Sequence, residues 1–200
     1  MDAETFARLV RRRRMVRNYR DTPVDPAALE RILDAGRRGP SAGYSQGVSF
    51  VVVTDVDRRA RIAELADEPG YVARGFDPWI SRAPVHIVVC TSEATYRTRY
   101  REPDKSPEGI EPEWPVPYWW VDAGAALMLI LLAAVAENLA AGFLGSHAFA
   151  DLEAVLDLPE DVRAIGVVTL GHGSADRRSG SLERGRTPIG DVVHRERWNG

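Results

Sequence analysis

The stretch AGAALMLILLAAVA, Ala123 to Ala136, runs for 14 residues without a polar or charged side chain. A helix of this composition is apolar on every face, so it persists only where something covers it all round. It falls short of the roughly 18 to 20 apolar residues that span a bilayer. The helix expected from Asp122 to about Leu139 is therefore a core element buried on nearly all sides, and its outer cover is expected from another subunit.

The remaining composition agrees with a soluble core. The chain has 200 residues, 44% hydrophobic and 28% charged, enough for one globular domain over 1–200 or one unit of an intertwined dimer. A net charge of −3 and a pI near 5.9 argue against a nucleic-acid coat protein, which needs positive field over the whole domain. No nucleic-acid or membrane partner is expected. The single cysteine, Cys90, lies in the apolar run VHIVVC and excludes an intrachain disulfide framework. The opening MDAETFARLV lacks the apolar region of a signal peptide. Both features point to the cytoplasm.

Asp2 is placed to cap a first helix, TFARLVRRRR, and Asp25-Pro26 opens a second, VDPAALERILDAG, with a staple between Val24 and Leu29 and Gly36 at its end. Strands are expected at Val48–Asp55, Val85–Ser92 and Ala164–Gly171, with helices near Arg58–Ala66 and Asp151–Leu156. The segment from Glu93 to Trp120 reads as a long loop of the kind that forms lids and binding surfaces. The short run AGFLGS receives no assignment. The tail from residue 172 lacks helical periodicity and reads as an arm that packs on something.

Residues 11–20, RRRRMVRNYR, hold six arginines. Only one of the 26 basic residues, Lys105, is a lysine, so the spacing of arginines carries more meaning than their presence. Arg11 and Arg12 read as the solvated end of the first helix, where cations suit the dipole. Arg13, Arg14 and Arg17, together with Arg184 and Arg186, are spaced to converge on a dianion. The planar guanidinium suits bidentate contact with phosphate oxygens.

Other motifs say less. The four histidines, His86, His147, His172 and His194, lack metal-ligand spacing, so no metal is expected. Gly39-Pro40-Ser41-Ala42-Gly43 has the G-x-S-x-G form of a hydrolase nucleophile elbow, and Asp122 with His147 or His172 follows in triad order. That elbow requires a strand before the serine and a helix after it, whereas here a helix precedes and a strand follows. Such a Gly- and Ser-rich loop can instead present N–H groups and hydroxyls to a flat polar ligand. Neither G-x-G-x-x-G nor a P-loop motif is present, so any phosphate must be held by side chains.

Four blocks in order resemble the nitroreductase family of FMN-dependent oxidoreductases: Arg13-Arg14-Met15-Val16-Arg17-Asn18-Tyr19; Gly39 through Val53; Glu137 through Gly145; and Arg186 through Trp198, with its V-V-H-x-E-R-W ending. The resemblance covers about residues 10 to 200. It implies an α+β sandwich, a mixed sheet flanked by helices, in an intertwined homodimer, with 172–200 as an arm on the partner. It also implies FMN as cofactor and NAD(P)H as electron donor, with hydride passed by a ping-pong mechanism to a small acceptor such as a nitroaromatic or quinone.

By the same resemblance, Arg13, Arg14, Arg184 and Arg186 hold the FMN phosphate and Arg17 faces the pyrimidine edge, where a cation stabilises negative charge on the ring. The partner supplies Ser41, Ala42, Tyr44 and Gln46, and backbone near Gly145 and Ser146 approaches flavin N5. Met15, Pro40 and Leu144 complete the cofactor-binding set. No side chain is expected to act as general acid or nucleophile, since the flavin carries the chemistry.

Met15 stands where the family has serine, Tyr44 where it has asparagine, Gly47-Val48 where it has Pro-Trp, and Asn138-Leu139-Ala140 where it has G-L-G. These departures read as a reshaped pocket, a deazaflavin in place of FMN, or a weakened site. A non-catalytic flavin-binding protein is the alternative to an enzyme. Tyr118, Trp119 and Trp120 read either as packing or as an aromatic wall over the flavin that sorts flat substrates.

Overall fold

The computed structural model describes residues 2–177 and 179–198. Asp2 caps α1 (Ala3–Arg12), its Oδ1 accepting from Thr5 N–H at 2.7 Å. The helix ends before Arg13 and Arg14, which the arginine run had placed inside it. Asp25 caps α2 (Pro26–Gly36) through Ala27 N–H at 3.1 Å.

β1 (Val48–Val53) stops short of Asp55, because that carboxylate caps α3 (Val56–Leu65) instead. Two short helices, α4 (Glu68–Ala73) and α5 (Trp79–Arg82), lead into β2 (Val85–Ser92). The segment after β2 is not all loop. Ser92 Oγ accepts from Thr95 N–H and starts α6 (Glu93–Tyr100), and irregular chain follows to residue 117.

The long apolar helix α7 runs Tyr118–Ala136, beginning four residues before the expected Asp122. Asp122 is not the first residue of the helix but a carboxylate buried within it. The helix ends before Leu139 because Asn138 adopts φ 57° and lets Leu139 N–H donate to Ala134 O at 2.8 Å. This is the left-handed closure usually given to glycine.

The run AGFLGS forms a strand, β3 (Ala140–Gly145). α8 (Leu152–Val155), β4 (Val162–Gly171) and, in the tail, α9 (Ile189–Val192) complete the described α-helices and strands, and short 3-10 turns occupy Ala42–Tyr44, Ser146–Ala148 and Gly180–Arg184. Within the expected arm, Arg178, Asn199 and Gly200 lie outside the described residues.

The strands form one sheet in the order β1-β2-β4-β3, antiparallel at every pairing. The parallel part of the expected mixed sheet is confined, among the described residues, to the single bridge Met15–Ala141 beside β3. All of β2 is buried, and its period of two divides the core. Val85, Ile87 and Val89 face α2 and α7, while Val88 and Cys90 face α3, α5 and α8. Helices on both faces make the α+β sandwich. Burial pushes the Cys90 thiol up to about 12, so it packs as a hydrophobe.

α7 lies close against α2, where a Cβ on Gly36 would come 2.7 Å from Ile130 Cγ1. One face of α7, including Ala123, Ala126, Ile130 and Ala134, is buried in the core. The opposite stripe of Val121, Gly124 and Met128 is exposed within the chain, as are Phe6 and Val10 on α1. α7 has the length and apolarity to cross a bilayer, but its buried face is built into the sandwich and carries Asp122. Being covered on nearly all sides is therefore not achieved by one chain alone.

His86 points into the core from β2, and its Nε2 donates to Ile80 O at 2.7 Å. Burial lowers its pKa from 6.5 to about 4. The folded state thus binds this proton less readily than the unfolded chain. Stability is expected to fall by about 3 kcal/mol as pH drops from about 6.5 to 4. His86→Gln should flatten that slope in urea melts at several pH values; an unchanged slope would assign it to other groups.

Candidate functional site

The arginine segment owes its shape to two neighbours. Val16 N–H donates to Ala141 O at 3.0 Å, which fixes the chain beside β3. On its other side the chain after β4 zips along it. Arg20 N–H donates to His172 O, Ser174 N–H to Asn18 O, and Asn18 Nδ2 to Ala175 O. Asp176 closes this zipper, accepting from Arg14 Nη1 at 2.6 Å and from Arg17 N–H at 2.9 Å. Burial alone would raise the Asp176 carboxyl, but these donors hold it below the usual carboxylate range.

Arg14 is thereby committed to Asp176. Arg13 is not, for its Nη1 is buried with no hydrogen-bond partner. Arg12, Arg13, Arg14 and Arg20 line a cleft of about 280 Å³ at the C-terminal end of α7, with Asn138 and Ser174 on its floor. An orphaned, buried guanidinium N–H carries an uncompensated desolvation cost, which a phosphate oxygen would relieve. Met15 takes no polar part. Its side chain packs against the core under α2 and α7.

The loop from Gly39 to Gln46 is held from below. Asp122 Oδ2 accepts from Ala42 N–H at 2.8 Å and from the Tyr96 hydroxyl at 2.9 Å, and Arg99 Nε donates to Gly43 O. Burial, then Asp122, pushes the Tyr96 phenol well above its ordinary value, so it remains a donor. Ser41 Oγ accepts from Gln46 N–H at 2.7 Å. Gly43, Tyr44 and Gln46 all have positive φ, of 62°, 57° and 55°. Glycine adopts this conformation freely, but Tyr44 and Gln46 do not, and a backbone that holds two such residues in the left-handed region is over-determined by its surroundings, as binding loops often are. Tyr44 is 74% exposed and, with Pro40, Ser41 and Gln46, lines a cleft of about 400 Å³ over the first half of α7.

Within one chain these two clefts do not meet. The arginine cleft reaches α7 at Leu131 and Val135 and the loop cleft at Asp122 and Ala126, so the helical rise separates their nearest α7 residues, Ala126 and Leu131, by about 7.5 Å and their farthest, Asp122 and Val135, by about 20 Å. Arg184 and Arg186 are exposed on the tail and line neither cleft. Leu144, Gly145 and Ser146 form the end of β3 and the following turn, outside both. The aromatic set is divided too. Trp119 is buried between Tyr96 and Trp114 with Arg97 over its ring, whereas Tyr118 and Trp120 are exposed.

A third cavity, of about 230 Å³, opens beside Arg17 and is walled by Tyr71, Phe76, Asp77, Trp79 and Arg177. Sequence reasoning singled out only Arg17 among these. The available signal was GYVARGFDPW, residues 70–79, where three aromatics alternate with turn residues between two strands.

An α+β sandwich with helices on both faces of its sheet, a cleft holding a buried, unsatisfied arginine N–H and a strained polar loop defines a protein built around an anionic ligand with a polar edge. The sequence profile of the Nitroreductase family matches residues 10–172, and the chain belongs to that family. It is 31% identical over 193 residues to an FMN reductase [NAD(P)H] of Bacillus subtilis, covering 92% of this chain and 71% of that protein. It is 28% identical to a putative NADH dehydrogenase/NAD(P)H nitroreductase of Archaeoglobus fulgidus, covering 98% of this chain and 99% of that one. The crystal structure of an NADPH:FMN oxidoreductase from Vibrio harveyi complexed with NAD+ shares the fold, with a TM-score of 0.75 at 22% identity over 97% of this chain and 78% of that one.

Asp122→Asn keeps the volume but weakens two hydrogen bonds to a buried carboxylate. It should lower the unfolding free energy by about 1.5–3 kcal/mol in urea titrations. An unchanged midpoint would mean that Asp122 does not hold the loop.

Proposed function

We propose that the protein is an FMN-dependent NAD(P)H oxidoreductase that works as a homodimer, with each site assembled from two chains. The observation that carries this reading is the split of the site along α7: the arginine cleft lies at one end of an exposed apolar stripe and the strained loop at the other. A two-fold axis through the stripe and perpendicular to α7 runs the two copies of the helix antiparallel and makes a self-complementary interface. It covers Val121 and Met128, and it carries each chain's loop toward the other chain's arginines. The family membership and the named relatives support the same cofactor and donor.

The residues present fit FMN. Arg13 Nη1 is a buried donor for the phosphate that has no partner among the described residues, and the exposed Arg184 and Arg186 on the tail are the cations that join it. Arg14 serves through Asp176 to hold the segment in place. Arg17, fixed at its own N–H, offers its guanidinium to the pyrimidine edge. The partner subunit's Pro40, Ser41, Ala42, Tyr44 and Gln46 supply polar contacts, and Leu144, Gly145 and Ser146 supply backbone near the ring.

FMN held by Arg13, Arg17, Arg184 and Arg186 would supply the hydride-transfer chemistry between NAD(P)H and a second substrate. The chain's own residues hold and orient the reactants, and the dimer seam excludes water. The overall exchange is quinone plus NAD(P)H plus a proton giving hydroquinone plus NAD(P)+; a nitroaromatic takes the same two electrons to the nitroso level with release of water. A ping-pong order follows because donor and acceptor use one face in turn. The lone buried thiol agrees with a cytoplasmic setting.

Two variants test this reading. Arg13→Ala with Arg186→Ala should strip the protein of flavin on purification while its circular dichroism and dimer mass persist. Met128→Glu should give monomers in sedimentation and lose flavin with the interface; a flavin-loaded monomer would refute the shared site.

A further inference from the structure

The cavity beside Arg17 has a second unusual property: each of its aromatic rings carries an arginine. Arg17 lies over Trp79 at 5.8 Å, Arg177 over Phe76 at 5.2 Å and Arg74 over Tyr71 at 5.0 Å. Tyr71 and Phe76 also pack on each other, with ring centroids 5.0 Å apart. A guanidinium stacked on a ring face keeps its N–H bonds in its own plane, directed away from the ring and free to donate.

The charge around the cavity is one-sided. Asp77 is its one lining carboxylate, and it faces Arg82 at 3.4 Å. Among the described residues, neither Arg17 nor Arg177 has a carboxylate within ion-pair distance. This local excess of cation stands in a chain whose net charge is −3, so it is not a by-product of a basic surface. Two half-exposed aromatic rings, Tyr71 and Phe76, offer flat apolar contact beneath it.

We infer that this cavity selects flat aromatic acceptors bearing an anionic substituent, such as a carboxylate. The aromatic ring of the substrate lies against Tyr71 and Phe76, and the guanidinium of Arg177 binds the anion. Arg17 is engaged at the cofactor edge in the reading given under Proposed function, on which this inference rests, so Arg177 is the specificity-determining residue. Arg177 follows the zipper residue Asp176 directly, which ties its placement to the same carboxylate that orders the arginine segment.

The test compares 4-nitrobenzoate with the neutral 4-nitrobenzamide in the full-length dimer, and measures benzoate binding by calorimetry without any electron donor. The wild type should prefer the anion in kcat/KM, with the preference falling as salt is raised. In Arg177→Ala the ratio of the two kcat/KM values should drop about five- to tenfold, benzoate binding should weaken by a similar factor, and Arg177→Lys should recover part of both.

An unchanged ratio in Arg177→Ala, or benzoate that fails to bind the wild type, would overturn the inference. Loss of flavin in Arg177→Ala would also overturn it, by reassigning the cavity to the cofactor. A wild type without flavin or turnover would overturn the oxidoreductase reading instead, while Arg177-dependent benzoate binding would still support the cavity.

Discussion

Everything in this structure is arranged around a helix that one chain cannot bury. α7 uses one face to complete the core against α2 and the sheet, and Gly36 lets α2 approach it closely. Its opposite stripe, with Met128 45% exposed, is left uncovered by the described residues of the chain. Burying apolar surface of this kind is worth roughly 25 cal/mol per Å², so leaving the stripe in water is a standing cost that a second copy removes. The same stripe has the arginine cleft at one end and the loop at the other. Assembly and cofactor binding are thus one event in the proposed dimer.

Two buried carboxylates translate this architecture into local geometry. Asp122 lies inside the apolar helix and reaches outward to Ala42 and Tyr96, converting the position of α7 into the position of the loop. Asp176 does the equivalent for the arginines by anchoring Arg14 and the backbone of Arg17. Neither touches the proposed ligand. Each satisfies donors that would otherwise be orphaned, and beside each stands a different group left for use, the exposed Tyr44 ring or the buried, unsatisfied Arg13 Nη1.

Much of the fold was legible in sequence because its signals are local. Asp2 and Asp25 cap where their spacing indicates, and the β-branched runs at Val48 and Val85 form strands. Errors arose where a residue serves a distant partner. The start of α7 was set at Asp122 because a charge interrupts the apolar run there, yet that carboxylate serves Ala42 and Tyr96, far away in sequence, from inside the helix. β3 escaped notice because AGFLGS lacks alternation and gains its strand form from pairing with β4. α6 was hidden by its charges. The arginine and loop residues were legible through the family resemblance, whereas the Tyr71–Phe76–Trp79–Arg177 cavity was not, since residues from before β2 and after β4 meet there.

The central claim is that arginines and loop act across two chains, and subunit mixing tests it most directly. One subunit carries Arg13→Ala with Arg186→Ala, the other Tyr44→Glu with Gln46→Ala, and each homodimer should be nearly free of flavin. In a mixed dimer the intact arginines of one subunit face the intact loop of the other at one site, while the second site carries both defects. Purified mixed dimers should therefore bind one flavin per dimer and regain NAD(P)H oxidation. Mixed dimers as empty as their parents would contradict the shared site and place arginines and loop in the same chain's pocket.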